Sequence, residues 1–278
     1  MIRSEEGKAY TLRFNSVDDA AKAFEDCKEG WEARKDSVDD EWAGGCESLE
    51  EVVTLARKGL VDHIPDAMRI AEAAVESIEN EYDMPSFQSF YDVSGSDVDV
   101  ARYLSGEPEC MINYTMVDTP QAGRVITVRA PICASAGVTP KEMVDRGIQV
   151  VALILALEKT GLQVEVWATS PIHDSWTGDP EYLANLDVLV KGSGQALDIG
   201  QVMFAFAHPA MFRVMLLGLC HELPKKWQRE IGIGFGYGYP GKVEAGFKDG
   251  AYNLPSMRMG EKHTTLVLDT LKDLGIIG

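Results

Sequence analysis

Between residues 124 and 220, β-rich runs alternate with helical periods, and this order constrains the fold more than any other feature of the chain. Val125-Ile-Thr-Val128 is a short strand-forming run. Thr139-Pro-Lys-Glu142 then combines a capping threonine, a proline at the first helical position and a glutamate three residues after the cap. The predicted helix carries Val150, Val151, Leu153, Ile154 and Leu157 and stops at Gly161. Leu162 to Trp167 alternates like a strand, and Leu186-Asp-Val-Leu-Val190 is another. Asp198 opens a helix bearing Ile199, Val202, Met203 and Phe206. Phe212 to Cys220 follows Pro209 and reads as a buried strand, although an apolar run of this length is also compatible with a helix. Such alternation predicts an α/β fold with a doubly wound, mostly parallel sheet.

Charge divides the chain differently. Residues 1–110 hold 27 acidic against 11 basic side chains, whereas residues 111–278 hold 17 against 15. The expected organisation is therefore an acidic, mainly helical region over 1–110 and an α/β domain over 111–278. Ser16-Val-Asp-Asp19 and Ser48-Leu-Glu-Glu51 are helix starts in the acidic part, the second helix ending at Gly59. A third helix is predicted from about Pro65 to Tyr82, with Glu72, Glu76 and Glu79 along one outer face. An acidic surface repels nucleic-acid phosphates and attracts basic proteins. No apolar stretch reaches the ~20 residues of a spanning helix, and the N-terminus lacks the apolar core of a signal peptide. The five cysteines are odd in number, widely spaced and without a CxxC pair, which points to a reducing, cytoplasmic setting and to neither disulfides nor structural zinc.

Two resemblances follow from particular motifs. Asp97 to Met111, together with Trp42-Ala-Gly-Gly45, resembles uncharacterised proteins of tailed bacteriophages, which implies a phage origin and no activity. Over about 124–275 the element order, with Gly192-Ser-Gly-Gln-Ala-Leu-Asp-Ile-Gly-Gln201 before a helix, resembles a von Willebrand factor A domain. That family holds a divalent cation through an Asp-x-Ser-x-Ser loop, a threonine and an aspartate. The matching positions here are Pro131-Ile-Cys-Ala-Ser135, Gln195 or Ala196, and His221-Glu222. Only Ser135 and Glu222 keep hard-cation oxygens, so the resemblance implies a degenerate site without metal. A literal match, Asp92-Val-Ser-Gly-Ser96, follows the poor strand Ser86-Phe-Gln-Ser-Phe-Tyr91 and reads as turn chemistry.

The expected function is non-enzymatic, with no catalytic residues, cofactor or small-molecule substrate. A protein partner is expected at Ser135, Gln195, His221 and Glu222, which a parallel sheet would gather at the carboxyl ends of its strands. The bacteriophage resemblance places that partner in a phage or host machine for replication, transcription or host takeover. A Cys133–His221 nucleophile pair is the weaker reading, against a buried cysteine and a capping histidine. His173-Asp174, with Trp176 and Asp179, lies in a loop that either lines a pocket or is simply solvated. The glycine-alternating segment Ile231 to Gly241 predicts a strand or tight loop. As a strand it sets Phe235, Tyr237 and Tyr239 on one face beside Lys225, Lys226 and Arg229, an arrangement suited to stacking single-stranded bases. Inhibition of a DNA-binding protein through Glu72, Glu76 and Glu79 is the third reading.

Overall fold

The structure, a computed structural model, describes residues 1–61, 64–81, 87–95, 97–116, 123–175, 180–260 and 265–277. Ser86, Ser96, Trp176 and Asp179 and the Glu79 side chain lie outside what is described. The chain begins with strands β1 (Ile2–Glu6) and β2 (Ala9–Phe14), followed by helices α1 (Val17–Asp26), α2 (Lys28–Arg34), α3 (Leu49–Lys58) and α4 (Ile64–Glu81). Strands β3 (Phe87–Asp92) and β4 (Asp97–Val98), helix α5 (Val100–Leu104) and strand β5 (Met111–Met116) come next. The second half runs β6 (Val125–Pro131), α6 (Pro140–Lys159), β7 (Gln163–His173), β8 (Leu183–Lys191) and α7 (Ile199–Ala207). It continues with a mixed π, α and 3-10 helix α8 (Met211–Glu222), then α9 (Lys225–Ile231), β9 (Tyr239–Pro240), β10 (Gly246–Lys248), β11 (Ala251–Asn253) and α10 (Leu266–Asp273).

The eight-stranded sheet has the order β1-β2-β8-β7-β6-β11-β10, with β9 beside β7. β2 is parallel to β8, and β6 is parallel to both β7 and β11. The α/β class expected from the sequence is therefore what the chain forms. Three finer features differ. β8 runs antiparallel to β7. β2 joins the sheet beside β8, so the acidic first segment shares the sheet and the core of the later residues. The strand expected at 212–220 is helix α8. The cause is local: His208 is extended, its Nδ1 accepts from the Ala210 N–H at 3.2 Å, and Pro209 takes the first turn. The segment is buried all round, which hides the helical period.

Each strand buries one side. Leu12, Phe14, Val164, Val166, Ala168, Leu186 and Val188 are buried against the helices, while Thr11, Arg13, Glu165, Trp167, Asn185, Thr127 and Arg129 alternate with them on a half-exposed face. Among the described residues the helices that pack on this sheet thus cover one face, and the residues of the other face remain half-exposed. The predicted caps are present. Ser16, Ser48 and Thr139 accept from the N–H groups of Asp19, Glu51 and Glu142, and Thr139 with Glu142 closes a full capping box. Thr139→Ala is expected to cost about 1 kcal/mol, read from the urea midpoint.

Helix α2 crosses α8 at two glycines. A Cβ on Gly30 would lie 2.3 Å from the Gly218 carbonyl oxygen, which is backbone and cannot give way. Gly30→Ala should therefore lower stability by about 1–3 kcal/mol in urea titration. Among the described residues no single helix is long and apolar enough to cross a membrane; α7 and α8, bent by 65° to each other, are apolar because they fill the core. A separate three-stranded sheet, β3-β5-β4, carries Phe90, Tyr91 and Val98 exposed, with Arg102 lying 3.6 Å over the Tyr91 ring. Arg102 also pairs with Glu107 at 3.3 Å and donates to the Glu109 backbone carbonyl at 3.2 Å.

Candidate functional site

Helix α8 ends at Cys220-His221-Glu222, and the turn into α9 is closed by one side chain. Gln228 Nε2 donates to the carbonyls of His221 and Leu223, each at 2.7 Å. Trp227 anchors α9 to the sheet, its ring centroid 5.6 Å from Tyr10 and 5.5 Å from Tyr182. Between this turn, β1 and the α1–α2 junction lies an open cleft of about 520 Å³. Its walls alternate in charge, with Arg3, Lys28 and Lys225 against Asp26, Glu29 and Glu222. Arg3 donates to Glu222 at 2.6 Å, and Lys225 pairs with Glu29. These pairs are exposed and each is worth at most about 1 kcal/mol. A partner can therefore exchange them at little cost.

His221 is half-buried at the cleft margin. Its Nε2 lies 3.0 Å from the Tyr237 hydroxyl, and its Nδ1 lies 3.9 Å from Glu29. Burial lowers the His221 pKa below its usual value; Glu29 opposes this, while Lys225 and Arg34 add to it. The folded state thus binds the proton less readily than the unfolded chain, so stability falls as pH drops below the ordinary histidine value near 6.5. In His221→Gln this part of the loss should be missing, measured as a shallower decline of the thermal midpoint on acidification.

The structure brings together only some of the residues singled out by sequence. His221, Glu222 and Lys225 share the cleft. Ser135 follows β6, whereas Gln195 follows β8 at the opposite end of the sheet, because β8 runs antiparallel to β7. The Gln195 side chain closes its own turn, accepting from Gly192 N–H at 2.9 Å. The Ser135 carbonyl accepts from Arg213 at 3.4 Å. Cys133 is fully buried, with its thiol pushed up to about 12, and the histidine ring is engaged with Tyr237. That environment suits packing, not a thiolate nucleophile. Asp92 accepts from Val93 N–H at 2.6 Å, as in a turn. Asp174 likewise closes a turn, accepting from the N–H groups of Glu181 and Tyr182. Among the described residues no group of three or more His, Cys, Asp and Glu side chains converges as metal ligands would.

The glycine-alternating segment is not a strand with three aligned rings. Gly232, Gly234, Gly236 and Gly238 all have positive φ, as does Tyr237 at 59°. The chain makes successive turns, and only Tyr239–Pro240 pairs as β9. The aromatics diverge as a result. Tyr237 folds inward to His221 and lies under the Arg34 guanidinium at 5.1 Å. Tyr239 sits 6.5 Å from the His173 ring. Phe235 points outward and is 99% exposed. Of the neighbouring cations, Lys226 lies over the rings of Tyr182 and Trp227, and Arg229 pairs with Glu230 at 3.5 Å.

The sequence reading overlooked the open sheet face, where Arg13, Arg129, Asp187 and Trp167 meet. A usable signal existed: in Ala9-Tyr-Thr-Leu-Arg-Phe14 and Val125-Ile-Thr-Val-Arg-Ala-Pro131 the residues between buried apolar ones are polar or charged.

One family model, described as a domain of unknown function (DUF7192), matches residues 3–278. No curated protein and no solved structure matches the chain significantly.

Proposed function

We propose that this chain, which belongs to the DUF7192 family, is a binding protein whose protein partner docks on Phe235 and the charged cleft beside it. The observation carrying this reading is the complete exposure of Phe235. A fully exposed ring contributes no burial to folding and is available to a partner as a hot-spot residue. Two residues on, Tyr237 is tied to His221 and Arg34, which fixes the chain beyond Phe235. The cleft pairs supply a polar rim that partner charges can replace. The resemblance to tailed-bacteriophage proteins supports a partner within phage or host replication, transcription or takeover machinery. The surplus of acidic residues in 1–110, including the exposed Glu72 and Glu76 on α4, favours a basic partner.

The test is partner capture with wild-type and Phe235→Ala protein as parallel baits, followed by affinity measurement with the captured protein. Loss of a hot-spot ring should weaken binding by about 2 kcal/mol or more, roughly thirtyfold. Equal affinity in the two proteins would remove this surface from consideration. The single-stranded nucleic-acid reading keeps a narrower basis, Phe235 with the exposed Lys225, Lys226 and Arg229. It predicts anisotropy of labelled single-stranded DNA that rises with protein and falls with added salt. Binding insensitive to salt, or none at low salt, speaks against it.

A further inference from the structure

The open face of the sheet holds two adjoining depressions, about 420 and 170 Å³, which share Arg13, Arg129, Asp187 and Asp249. Strand register sets this floor. Arg13 faces Asp187 across β2 and β8, and Arg129 faces Trp167 across β6 and β7. Asp187 is the buried member, with a side chain only 6% exposed. It accepts from Asn185 Nδ2 at 2.6 Å and reaches Arg13 Nη2 at 3.5 Å, a distance too long for a strong ion pair. The Arg13 guanidinium lies 5.1 Å over the Trp167 ring, and its Nε is buried without an acceptor. Trp167 Nε1 in turn donates to Glu165 at 2.7 Å, which also accepts from Thr127 at 3.3 Å. Arg129 acts on Asp187 through its charge, yet its guanidinium donates no hydrogen bond to a described residue. An arginine carries five N–H donors in a planar fork suited to carboxylate and phosphate oxygens.

We infer that this face binds a small ligand through one oxyanion, a carboxylate or a phosphate, held between Arg129 and Arg13. Asp187 keeps the two like charges together and leaves their outward donors unused. Glu6, Glu165 and Asp249 on the walls repel a polyanion, so a nucleic-acid strand does not fit the same surface. The combined volume suits a small molecule, since ligand pockets fall near 300–1,000 Å³. This site is separate from the Phe235 surface and does not depend on that assignment.

The test is calorimetric titration of the full chain with inorganic phosphate and, separately, malonate, against sodium chloride at matched ionic strength. Binding of either anion that weakens roughly tenfold or more in Arg129→Gln supports the site, because a hydrogen bond to a charged group contributes about 1.5–3 kcal/mol. A response to phosphate alone assigns a phosphate ester, and a response to malonate alone assigns a carboxylate. Among the described residues Arg129 makes no side-chain hydrogen bond, so the unliganded variant should still fold cooperatively, with a midpoint shift limited to the loss of its charge beside Asp187. Arg13→Gln provides the second variant, with the same expected loss. No heat from either anion beyond the chloride control, or equal affinity in both variants and wild type, overturns the inference.

Discussion

Arg213→Met is expected to destabilise the protein by about 3–5 kcal/mol, because two buried carbonyls lose their donors at roughly 1–3 kcal/mol each and the ring contact loosens. Arg213 is fully buried in α8, with no carboxylate partner among the described residues. Its Nη1 donates to the Trp42 carbonyl at 2.8 Å, and its Nη2 donates to the Val138 carbonyl at 2.6 Å. The guanidinium also sits 4.4 Å from the Trp42 ring centroid. One side chain thereby ties the 40–46 loop and the loop after β6 to the core helix. Burial lowers its pKa to about 10, still high enough to keep it charged at neutral pH. Methionine has similar length but no donor, so it isolates the hydrogen-bonding contribution. Arg213→Lys should fall between the two, since an ammonium can reach one carbonyl but not span both. Urea denaturation monitored by circular dichroism measures all three. A methionine variant as stable as wild type would show that these loops hold without the clamp.

Trp227→Ala should cost about 3–5 kcal/mol, the range for deleting a large buried aromatic. Trp227 is 1% exposed between Tyr10 and Tyr182 and fixes α9, which carries Lys225, Lys226 and Arg229, against β2 and β8. Its Nε1 is buried without an acceptor among the described residues, so the ring is held by packing and by Lys226 lying over it. Trp227→Phe keeps most of that packing and removes the unsatisfied donor; a loss below about 1.5 kcal/mol is expected. The contrast between the two variants is the measurement. Equal losses would mean that the indole N–H has an unrecognised partner. In Trp227→Ala the cleft should also loosen, seen as faster hydrogen exchange of the α9 amides in the folded protein.

What was legible in the sequence was what neighbouring residues decide. The starts of α1, α3 and α6 were readable because Ser16, Ser48 and Thr139 cap helices through bonds spanning three residues. The first half of β7 and the middle of β8 were readable because their alternation reflects one buried face. α8 was ambiguous because both of its sides are buried, so no period marks it. The run from Ile231 to Gly241 was open between strand and tight loop for a related reason, and it forms the loop. Alternating glycine and aromatic residues share the period of a strand, while the positive φ angles that glycine permits make a series of turns.

Half of the expected binding set, His221 and Glu222, does face one cleft, but its walls come from β1, α1 and α2, which lie some two hundred residues earlier. Ser135 and Gln195 separate because the direction of β8 depends on which strand it meets, not on its own residues. The sequence by itself determined the α/β class, the capped starts of α1, α3 and α6, and the strand runs at 125–128, 162–167 and 186–190, since these follow from caps and periodicity within about twenty residues. Only the tertiary structure decided the antiparallel β7–β8 pairing, the insertion of the acidic N-terminal hairpin beside β8, and the meeting of Arg13, Asp187, Trp167 and Arg129. Those depend on long-range pairing, in which the burial of a whole face selects the register and no local signal names the neighbour.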